Sequence, residues 1–379
     1  MRAEKQTLYA EDVDILGFFI YNKKKRGTVR LRRGPPRGFP QKGEPMKVRK
    51  TRTIRSIFLT FSAVALFVAA CFAACAPQEP PHEHTLVYVE AKEAGYATHG
   101  NAAYYRCDCG AIFTADTREE TTLQAVTVRS ETGFDKQTFT QDGYTLNYCL
   151  FEPEDLDKTA DKAPLVLFLH GAGERGSDNQ SQLKNAVLNV VGQGEWADAV
   201  VLAPQCPSAG NTGSSESDPN KWVETPWTAG NYRQAEVPES KPLHAAAQLV
   251  AQYAAYDYID ADRVYVVGLS MGGFGTWDIL ARYPDLFAAG VPICGGGPSD
   301  RIDVLKDIPV YAFHGDRDGT VPYTGTQAMY EDILAAGGTQ ILFKTFAGAG
   351  MPSGTTRSPS KAKPGFRPWE AGCSRSISK

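Results

Sequence analysis

The chain has 379 residues, which is enough for one domain of catalytic size and a smaller module. A hydrophobic content of 42% and a charged content of 22% exclude a collagen-like or wholly disordered chain. The net charge of −3 is the sum of +11 in residues 1–56 (16 Lys/Arg against 5 Asp/Glu) and −14 in the remainder (24 against 38). The charge therefore concentrates in a basic head, and the rest of the chain is acidic.

Residues 1–45, which make up most of the basic head, are interpreted first as a translated leader that does not belong to the native protein. Lys42-Gly43-Glu44 can be encoded AAA-GGA-GAA, which contains a ribosome-binding sequence just before the Met46 codon. We therefore expect translation to start at Met46. The alternative is that residues 1–45 form a basic arm that binds nucleic acid or a membrane surface. We favour the leader and therefore expect no nucleic-acid partner.

Residues 46–75 have the pattern of a bacterial lipoprotein signal peptide. A basic segment precedes the apolar run from Ile57 to Ala70, and Val68-Ala69-Ala70-Cys71 resembles a lipobox. Cys71 is the expected lipidation site, with Cys75 as a weaker alternative. An uncleaved anchor is the other possibility, because about eighteen apolar residues can span a bilayer. Either interpretation predicts an exported protein that is held at the membrane of the cell envelope, or one that is secreted.

A short Pro-rich linker, residues 76–81, leads into a separate module, residues 82–127. The module resembles a short Cys- and Tyr-containing repeat of bacterial surface proteins. Cys107 and Cys109, with His82, His84 and His99, are of the types that bind zinc, but C-x-C is not the usual C-x₂-C spacing. We therefore expect a spacer or wall-associated module and no metal site.

From Thr138 the pattern becomes that of an α/β domain. Short apolar runs followed by turn residues indicate buried strands of a parallel sheet; they are Tyr144–Phe151, Pro164–His170, Ala199–Pro204, Val264–Ser270 and Ile308–Gly315. Helical stretches lie between them, at Ser181–Val191, Leu243–Tyr258, Met271–Tyr283 and Thr324–Ala336. The alternation predicts a doubly wound, mostly parallel sheet over residues 138–350.

The motif that indicates chemistry is Gly268-Leu269-Ser270-Met271-Gly272, which stands between a strand and a helix. A sharp strand-to-helix turn needs glycines and lifts the serine hydroxyl out of the sheet. Ser270 is the expected nucleophile. The Met271 N–H at the helix start is one expected oxyanion donor.

The second oxyanion donor is expected in the loop that follows the first long apolar strand. In His170-Gly171-Ala172-Gly173 the backbone N–H of Ala172 is the candidate. His170 is interpreted as structural. Glu174 and Arg175 either pair with each other or shape the loop.

A third loop supplies the acid. In the segment from His314 to Pro322, Asp318 stands on the turn before Val-Pro and is the expected orienting carboxylate, with Asp316 as the alternative. In the long loop 205–238, Trp222 and Trp227 are candidates for stacking on an aromatic or sugar ring, or for packing.

These motifs resemble the bacterial α/β-hydrolases known as carboxylesterases, feruloyl-esterase-like enzymes and predicted peptidases related to prolyl oligopeptidase. The likeness spans about residues 138–350. It implies an α/β-hydrolase fold, an acyl-transfer mechanism with the order Ser, Asp, His, and neither a metal nor an organic cofactor. The expected substrate is a small-molecule or polysaccharide-linked ester; rival predictions are a peptidase of the same fold and a non-catalytic surface or carbohydrate-binding lipoprotein.

The sequence lacks the histidine that this resemblance implies, because all six histidines precede Asp318. If Gly350 is encoded GGC and Met351 ATG, reading one base earlier gives CAT, a histidine directly after a glycine, and the following codons permit Ala, Val or Phe, Trp, Asp, Tyr and Ala. We therefore expect residues 351–379 to be out of frame and the chain to be impaired as it stands. A genuine pseudoenzyme is the alternative, and His244 is the weak candidate for a relocated base.

Overall fold

The structure, a computed structural model, describes residues 83–160, 162–193, 196–208 and 220–350. The predicted leader, the signal segment with Cys71, the linker, His82 and the tail 351–379 lie outside these described residues. Within them, residues 83–89 and 104–122 form one compact unit, and residues 90–103 and 123–350 form another. Residues 90–103 and 123–127 of the predicted module thus group with the larger unit.

The secondary structure is numbered in chain order. The strands are β1 (Leu86–Val89), β2 (Gly100–Asn101), β3 (Tyr104–Cys107), β4 (Ile112–Thr114), β5 (Glu120–Thr121), β6 (Thr127–Val128), β7 (Asp135–Gln141), β8 (Tyr144–Phe151), β9 (Ala163–Leu169), β10 (Val200–Gln205), β11 (Ile259–Leu269), β12 (Ala289–Ile293), β13 (Val310–Gly315) and β14 (Ile341–Phe346). The α-helices are α1 (Leu123–Val126), α2 (Lys241–Ala254), α3 (Met271–Arg282), α4 (Ile302–Leu305) and α5 (Tyr323–Ala335).

The smaller unit is an antiparallel sheet with the strand order β1-β3-β4-β5. In the larger unit, β2 and β6 form a two-stranded antiparallel pair. The main sheet has the order β14-β13-β12-β11-β9-β10-β8-β7. Strands β9 to β14 run parallel, while β8 pairs antiparallel with both β10 and β7. The predicted mostly parallel sheet is confirmed.

The strand order places the site. The chain goes from β9 to β10 on one side and then crosses to β11 on the other, so the order reverses beside β9. In open α/β sheets, ligands bind outside the carboxyl ends of the strands at such a reversal. Strands β10 and β12 are fully buried, as continuous apolar runs predict for a sheet covered on both faces.

The helices begin where local signals predict. Ser240 caps α2 through its hydroxyl, which accepts a hydrogen bond of 3.3 Å from the Leu243 N–H, and Pro242 lies in the first turn. The stretch predicted as one helix at Ser181–Val191 instead forms two 3₁₀ segments, Ser181–Lys184 and Ala186–Val190. Asn185 separates them because its side chain accepts the Val187 N–H at 3.1 Å and starts a new turn.

No helix among the described residues has both the length and the hydropathy that a bilayer crossing requires.

Candidate active site

Ser270 occupies the turn between β11 and α3 with a backbone conformation that L-residues rarely adopt. Its φ is 57° and its ψ is −114°, and its N–H donates to the Ile293 carbonyl at 2.8 Å, which fixes the turn to the end of β12. Positive φ at a residue with a side chain costs free energy and is found where the surrounding structure enforces it. The expected nucleophile therefore sits on a strained turn at the carboxyl edge of the sheet.

The two glycines of the motif allow this turn. A Cβ atom on Gly272 would lie 1.8 Å from the Leu169 carbonyl oxygen, and one on Gly268 would lie 2.1 Å from the Gly272 carbonyl oxygen. Both contacts are with backbone, which cannot move aside as a flexible side chain can. The close packing of α3 against β9 and β11 thus requires glycine at both positions.

The loop after β9 lies beside Ser270, since a Cβ on Gly171 would be 3.8 Å from the Ser270 Cβ. Ala172 starts a 3₁₀ turn, Ala172–Glu174, and Met271 starts α3. The first N–H groups of a helical turn have no partner within their own helix. Ala172 and Met271 each have such an N–H, at the starts of the two helical segments next to the serine.

Glu174 and Arg175 shape this loop through separate partners. The Arg175 Nε donates to the Ala172 carbonyl at 2.9 Å, and its guanidinium also donates to the Asn220 carbonyl at 3.3 Å. The Glu174 carboxylate accepts from the Asn185 amide at 3.4 Å, and burial raises its pKa. Both side chains hold the loop against neighbouring segments.

His170 is fully buried and has both ring nitrogens engaged. Its Nε2 accepts the Cys206 N–H at 2.9 Å, and its Nδ1 lies 2.6 Å from the Gly171 carbonyl oxygen. An accepting Nε2 leaves the proton on Nδ1, which donates to that carbonyl. Burial lowers the pKa of His170 to about 4, so the ring is neutral and structural, as the sequence analysis expected.

Asp318 follows β13, and its side chain is fully buried. The Oδ1 atom accepts the backbone N–H groups of Thr320 and Val321, at 2.8 and 3.0 Å. Burial alone would raise the pKa of Asp318, but His314 and these two N–H groups outweigh it and hold the pKa below its usual value. Within the described residues the Oδ2 atom accepts no hydrogen bond. Asp318 is thus an ionised, buried carboxylate, and its Oδ2 lies 3.4 Å from the His314 Nε2.

The alternative acid, Asp316, has a different role. Its Oδ1 accepts the Gly348 N–H at 2.7 Å, and the residue is exposed. Asp316 therefore ties the turn after β13 to the turn after β14, which leaves Asp318 as the buried carboxylate of this loop.

His314 and Cys294 also face Asp318, a contact that the sequence did not predict. The His314 Nε2 lies 3.4 Å from the Asp318 Oδ2, and the His314 Nδ1 lies 2.7 Å from the Thr326 hydroxyl. One ligand atom from each of Cys294, His314 and Asp318 lies within 4.8 Å of the others. Burial and the Asp318 charge raise the pKa of the Cys294 thiol, so it stays protonated and is a poor metal ligand. The signal for this contact in the sequence was the HG-x-x-D motif, in which Asp318 follows His314 by four residues.

The backbone after β14 runs next to this acid. The Arg317 N–H donates to the Ala349 carbonyl at 2.9 Å, and a Cβ on Gly315 would lie 2.4 Å from that same oxygen. A Cβ on Gly350 would lie 3.5 Å from the Arg317 carbonyl oxygen. The described chain at Gly350 is therefore adjacent to the residue that precedes Asp318.

The two tryptophans of the long loop have different environments. Trp222 is 0% exposed; its indole N–H donates to the His170 carbonyl at 3.0 Å, and its ring packs edge-on against the His170 ring. This burial corrects the expectation that Trp222 stacks on a ligand: it packs in the core. Trp227 is partly exposed, with the Arg175 guanidinium 5.8 Å and the Lys221 ammonium 5.1 Å from its ring centre.

His244, the weak candidate for a relocated base, lies on α2. Its Nδ1 is 3.0 Å from the Glu239 carboxylate and 3.0 Å from the Tyr283 hydroxyl. These contacts give the ring a structural role between α2 and the end of α3.

Comparison with known proteins identifies the family of this chain. The alpha/beta hydrolase family matches residues 166–371, more than half of the chain. The chain is 28% identical over 197 residues to a predicted esterase, NocK, of Nocardia uniformis subsp. tsuyamanensis, covering 52% of each. It is 26% identical over 174 residues to the bifunctional acetylxylan esterase/xylanase XynS20E of Neocallimastix patriciarum, covering 46% of this chain and 22% of that one.

Among solved structures, a thermostable esterase is 30% identical, with 71% of this chain and 70% of that chain covered and a TM-score of 0.47. The chain spans about half the length of NocK and less than a quarter of the length of XynS20E. On the family match, the chain belongs to the alpha/beta hydrolase family, and its relatives are of the esterase type.

Proposed function

We propose that this protein is a serine esterase that cleaves carboxylic esters through an acyl-enzyme on Ser270. The observation that carries the proposal is the strained turn at Ser270, with φ of 57°, which holds the hydroxyl at the carboxyl edge of the sheet. The hydroxyl oxygen attacks the ester carbonyl, the alcohol leaves with a proton from the base, and water then hydrolyses the acyl-enzyme. No metal or organic cofactor takes part in these steps.

Two backbone N–H groups near the serine are the proposed oxyanion donors. In the tetrahedral intermediate the carbonyl oxygen becomes an anion, and the Ala172 and Met271 N–H groups would donate hydrogen bonds to it. Loss of one oxyanion donor costs roughly 10²–10³ in rate. The His170 Nδ1 bond to the Gly171 carbonyl, at 2.6 Å, supports this role, because that carbonyl and the Ala172 N–H belong to the same peptide group.

Asp318 orients the base, and the base is the histidine that the shifted frame restores at position 351. Two observations support this assignment: the Asp318 Oδ2 is buried without a hydrogen bond among the described residues, and Gly350 is adjacent to Arg317. An imidazole after Gly350 would donate an N–H to this oxygen, which the His314 Nε2 approaches only to 3.4 Å. The chain as written has Met351 there and is expected to be impaired, since loss of a triad member costs roughly 10⁴–10⁶ in turnover. Sequencing the source DNA across residues 345–379 tests the frame directly.

The substrate class is a small-molecule or polysaccharide-linked ester. The names of the relatives support this class, since one is called an esterase and another an acetylxylan esterase. Partly exposed Trp227 is the ring available to stack on an aromatic or sugar group. The proposal also places the protein outside the cytoplasm, anchored by lipid on Cys71; this rests on the basic and apolar pattern of residues 46–75.

The experiment compares the frame-restored protein on matched ester and amide substrates, with Ser270→Ala as the control. We expect hydrolysis of p-nitrophenyl acetate and little or none of the anilide, because an ester has the better leaving group. Preference for the amide would identify a peptidase instead. Equal rates for the restored protein and its S270A variant would contradict the proposal. Lipidation is tested separately, by incorporation of labelled fatty acid into the exported protein and its loss in Cys71→Ser.

A further inference from the structure

The smaller unit brings together three side chains with metal-binding atoms. His84, Cys107 and Cys109 each place one such atom within 4.8 Å of the other two, and the Cys109 Sγ lies 3.4 Å from the His84 Nδ1. Bond lengths to zinc of about 2.3 Å from sulfur and 2.0–2.1 Å from nitrogen put sulfur and nitrogen ligands about 3.6 Å apart in a tetrahedral site. The spacing observed between Cys109 and His84 is close to that value.

Strand register explains why these residues meet. β1 and β3 are antiparallel, with Leu86 opposite Cys107. Two residues before Leu86 is His84, and two residues after Cys107 is Cys109. Both residues lie just beyond the ends of the paired strands, where an extension of this register would put His84 opposite Cys109, and their 3.4 Å contact agrees with it.

The turn after β3 keeps both cysteines on one side of the sheet end. The Gly110 N–H donates to the Cys107 carbonyl and the Cys107 N–H donates to the Ala111 carbonyl, both at 2.9 Å. Gly110 has φ of 95°, a conformation that glycine adopts without a steric penalty. The tight turn therefore compensates for the C-x-C spacing, which seemed too short for a metal site from the sequence alone.

The unit has little else to stabilise it. Among its described residues, the buried apolar side chains are Cys107 and Phe113, and the His84 ring packs edge-on against Phe113 at 4.9 Å. A sheet this small buries too little apolar surface for independent stability and commonly needs a metal or a disulfide. The cysteine–histidine cluster lies at the place where such a constraint would act.

The structure also selects among the histidines in the sequence. The His99 Nδ1 accepts the Ser130 N–H at 3.0 Å, and His99 belongs to the larger unit. It is therefore not part of this cluster, and His82 lies outside the described residues.

We propose that His84, Cys107 and Cys109 bind one Zn²⁺ ion, and that this ion stabilises the smaller unit. The two thiols lose their protons on binding, and the site has two thiolates, one imidazole and a fourth position. This proposal differs from the expectation of a metal-free module. The role is structural, and it is independent of Ser270 and of the proposed esterase activity.

The test uses the purified full chain, reduced, stripped with a chelator and titrated with Zn²⁺ against a chromophoric competitor. We expect the wild-type chain to bind one equivalent of Zn²⁺. His84→Gln and Cys109→Ser each remove a ligand, so each should lower the Zn²⁺ affinity by more than the roughly 10–100-fold that loss of an outer-shell partner costs. Asp108→Asn, an exposed neighbour between the cysteines, is the matched control and should bind like the wild type.

Substitution by Co²⁺ gives a readout on the wild type itself, in case a variant does not fold. Two thiolate ligands predict a strong sulfur-to-cobalt charge-transfer band together with visible bands of a tetrahedral ion. Three outcomes would overturn the proposal: no stoichiometric binding, binding unchanged in both H84Q and C109S, or a Cys107–Cys109 disulfide in protein isolated without oxygen.

Discussion

The Arg317 N–H donates a hydrogen bond of 2.9 Å to the Ala349 carbonyl, so the backbone leaving β14 runs beside the turn that holds Asp318. The described chain therefore reaches Gly350 beside the residue that precedes a buried carboxylate. The histidine that the sequence lacks is expected directly after Gly350, next to the turn that holds Asp318.

Replacement of Met351 by histidine should raise ester hydrolysis. The new imidazole would find the Asp318 Oδ2 as its partner and act as a base for Ser270; a positioned general base contributes about 10²–10⁴ in rate. We expect at least a 10²-fold gain in kcat/KM with p-nitrophenyl acetate, the lower end of this range. Met351→Gln, similar in size and without basicity, is the control. If M351H is no faster than M351Q, and the frame-restored protein is also no faster, position 351 does not carry the base.

Relief of the strain at Ser270 should stabilise the fold while it removes activity. Glycine adopts positive φ without the penalty of about 1–2 kcal/mol that a side chain incurs, but it loses more entropy on folding, about 0.5–1 kcal/mol. Ser270→Gly should therefore have a higher free energy of unfolding in urea than Ser270→Ala, by up to about 1.5 kcal/mol, and both should be inactive. Lower stability of S270G than of S270A would show that the turn is not strained.

The two tryptophans of the long loop should respond differently to truncation. Trp222→Ala removes a fully buried ring and its hydrogen bond to His170, which should cost about 3–5 kcal/mol of unfolding free energy. Trp227→Ala removes a partly exposed ring, so it should cost less stability than Trp222→Ala, and it should raise KM for an aryl ester in the frame-restored enzyme. Urea unfolding and steady-state kinetics measure the two effects; a large stability loss in W227A with no change in KM would reverse its assignment.

Asp178 should make the free energy of unfolding depend on pH under acidic conditions. Burial raises the pKa of Asp178, but hydrogen bonds from Ser181, Gln205 and Gln180 outweigh it and lower the pKa to about 2. Because the folded pKa is below the unfolded value, the stabilisation is present above about pH 4 and is lost as pH falls through about 2.

The matching variant is Asp178→Asn, which mimics the protonated carboxyl. Its urea midpoint should lie below that of the wild type near neutral pH, and the difference should shrink as pH falls towards 2. Asp285→Asn is the control, at an exposed aspartate without a hydrogen bond in the described part of the chain. A difference between D178N and the wild type that is constant with pH would contradict this account.

The sequence predicted the main sheet because its strands are buried on both faces and therefore appear as unbroken apolar runs. The Tyr144–Phe151 strand was confirmed to the residue, and α3 was predicted to within one residue. The 3₁₀ segments after Ser181 were missed, because hydrophobic spacing does not distinguish an α-helix from a series of turns when an asparagine can interrupt it.

The site was less predictable from the sequence where the position of a side chain depends on tertiary packing. Trp222 in a long, polar loop gave no signal of complete burial, since burial depends on how the loop folds back against Gly275 and His170. His314 and Asp318 belong to the same short motif, and we did not infer from their spacing that the two side chains are in contact. The cluster around Cys109 depends on strand register, which C-x-C spacing does not reveal.

The most direct test of the central claim is covalent labelling of the frame-restored chain with a fluorophosphonate, mapped by mass spectrometry. A nucleophilic Ser270 activated by a histidine and Asp318 predicts a stoichiometric adduct on Ser270. The adduct should be absent in S270A and much slower to form in the chain that retains Met351. A folded, frame-restored protein that stays unlabelled at Ser270 would contradict the assignment and point to a non-catalytic surface protein.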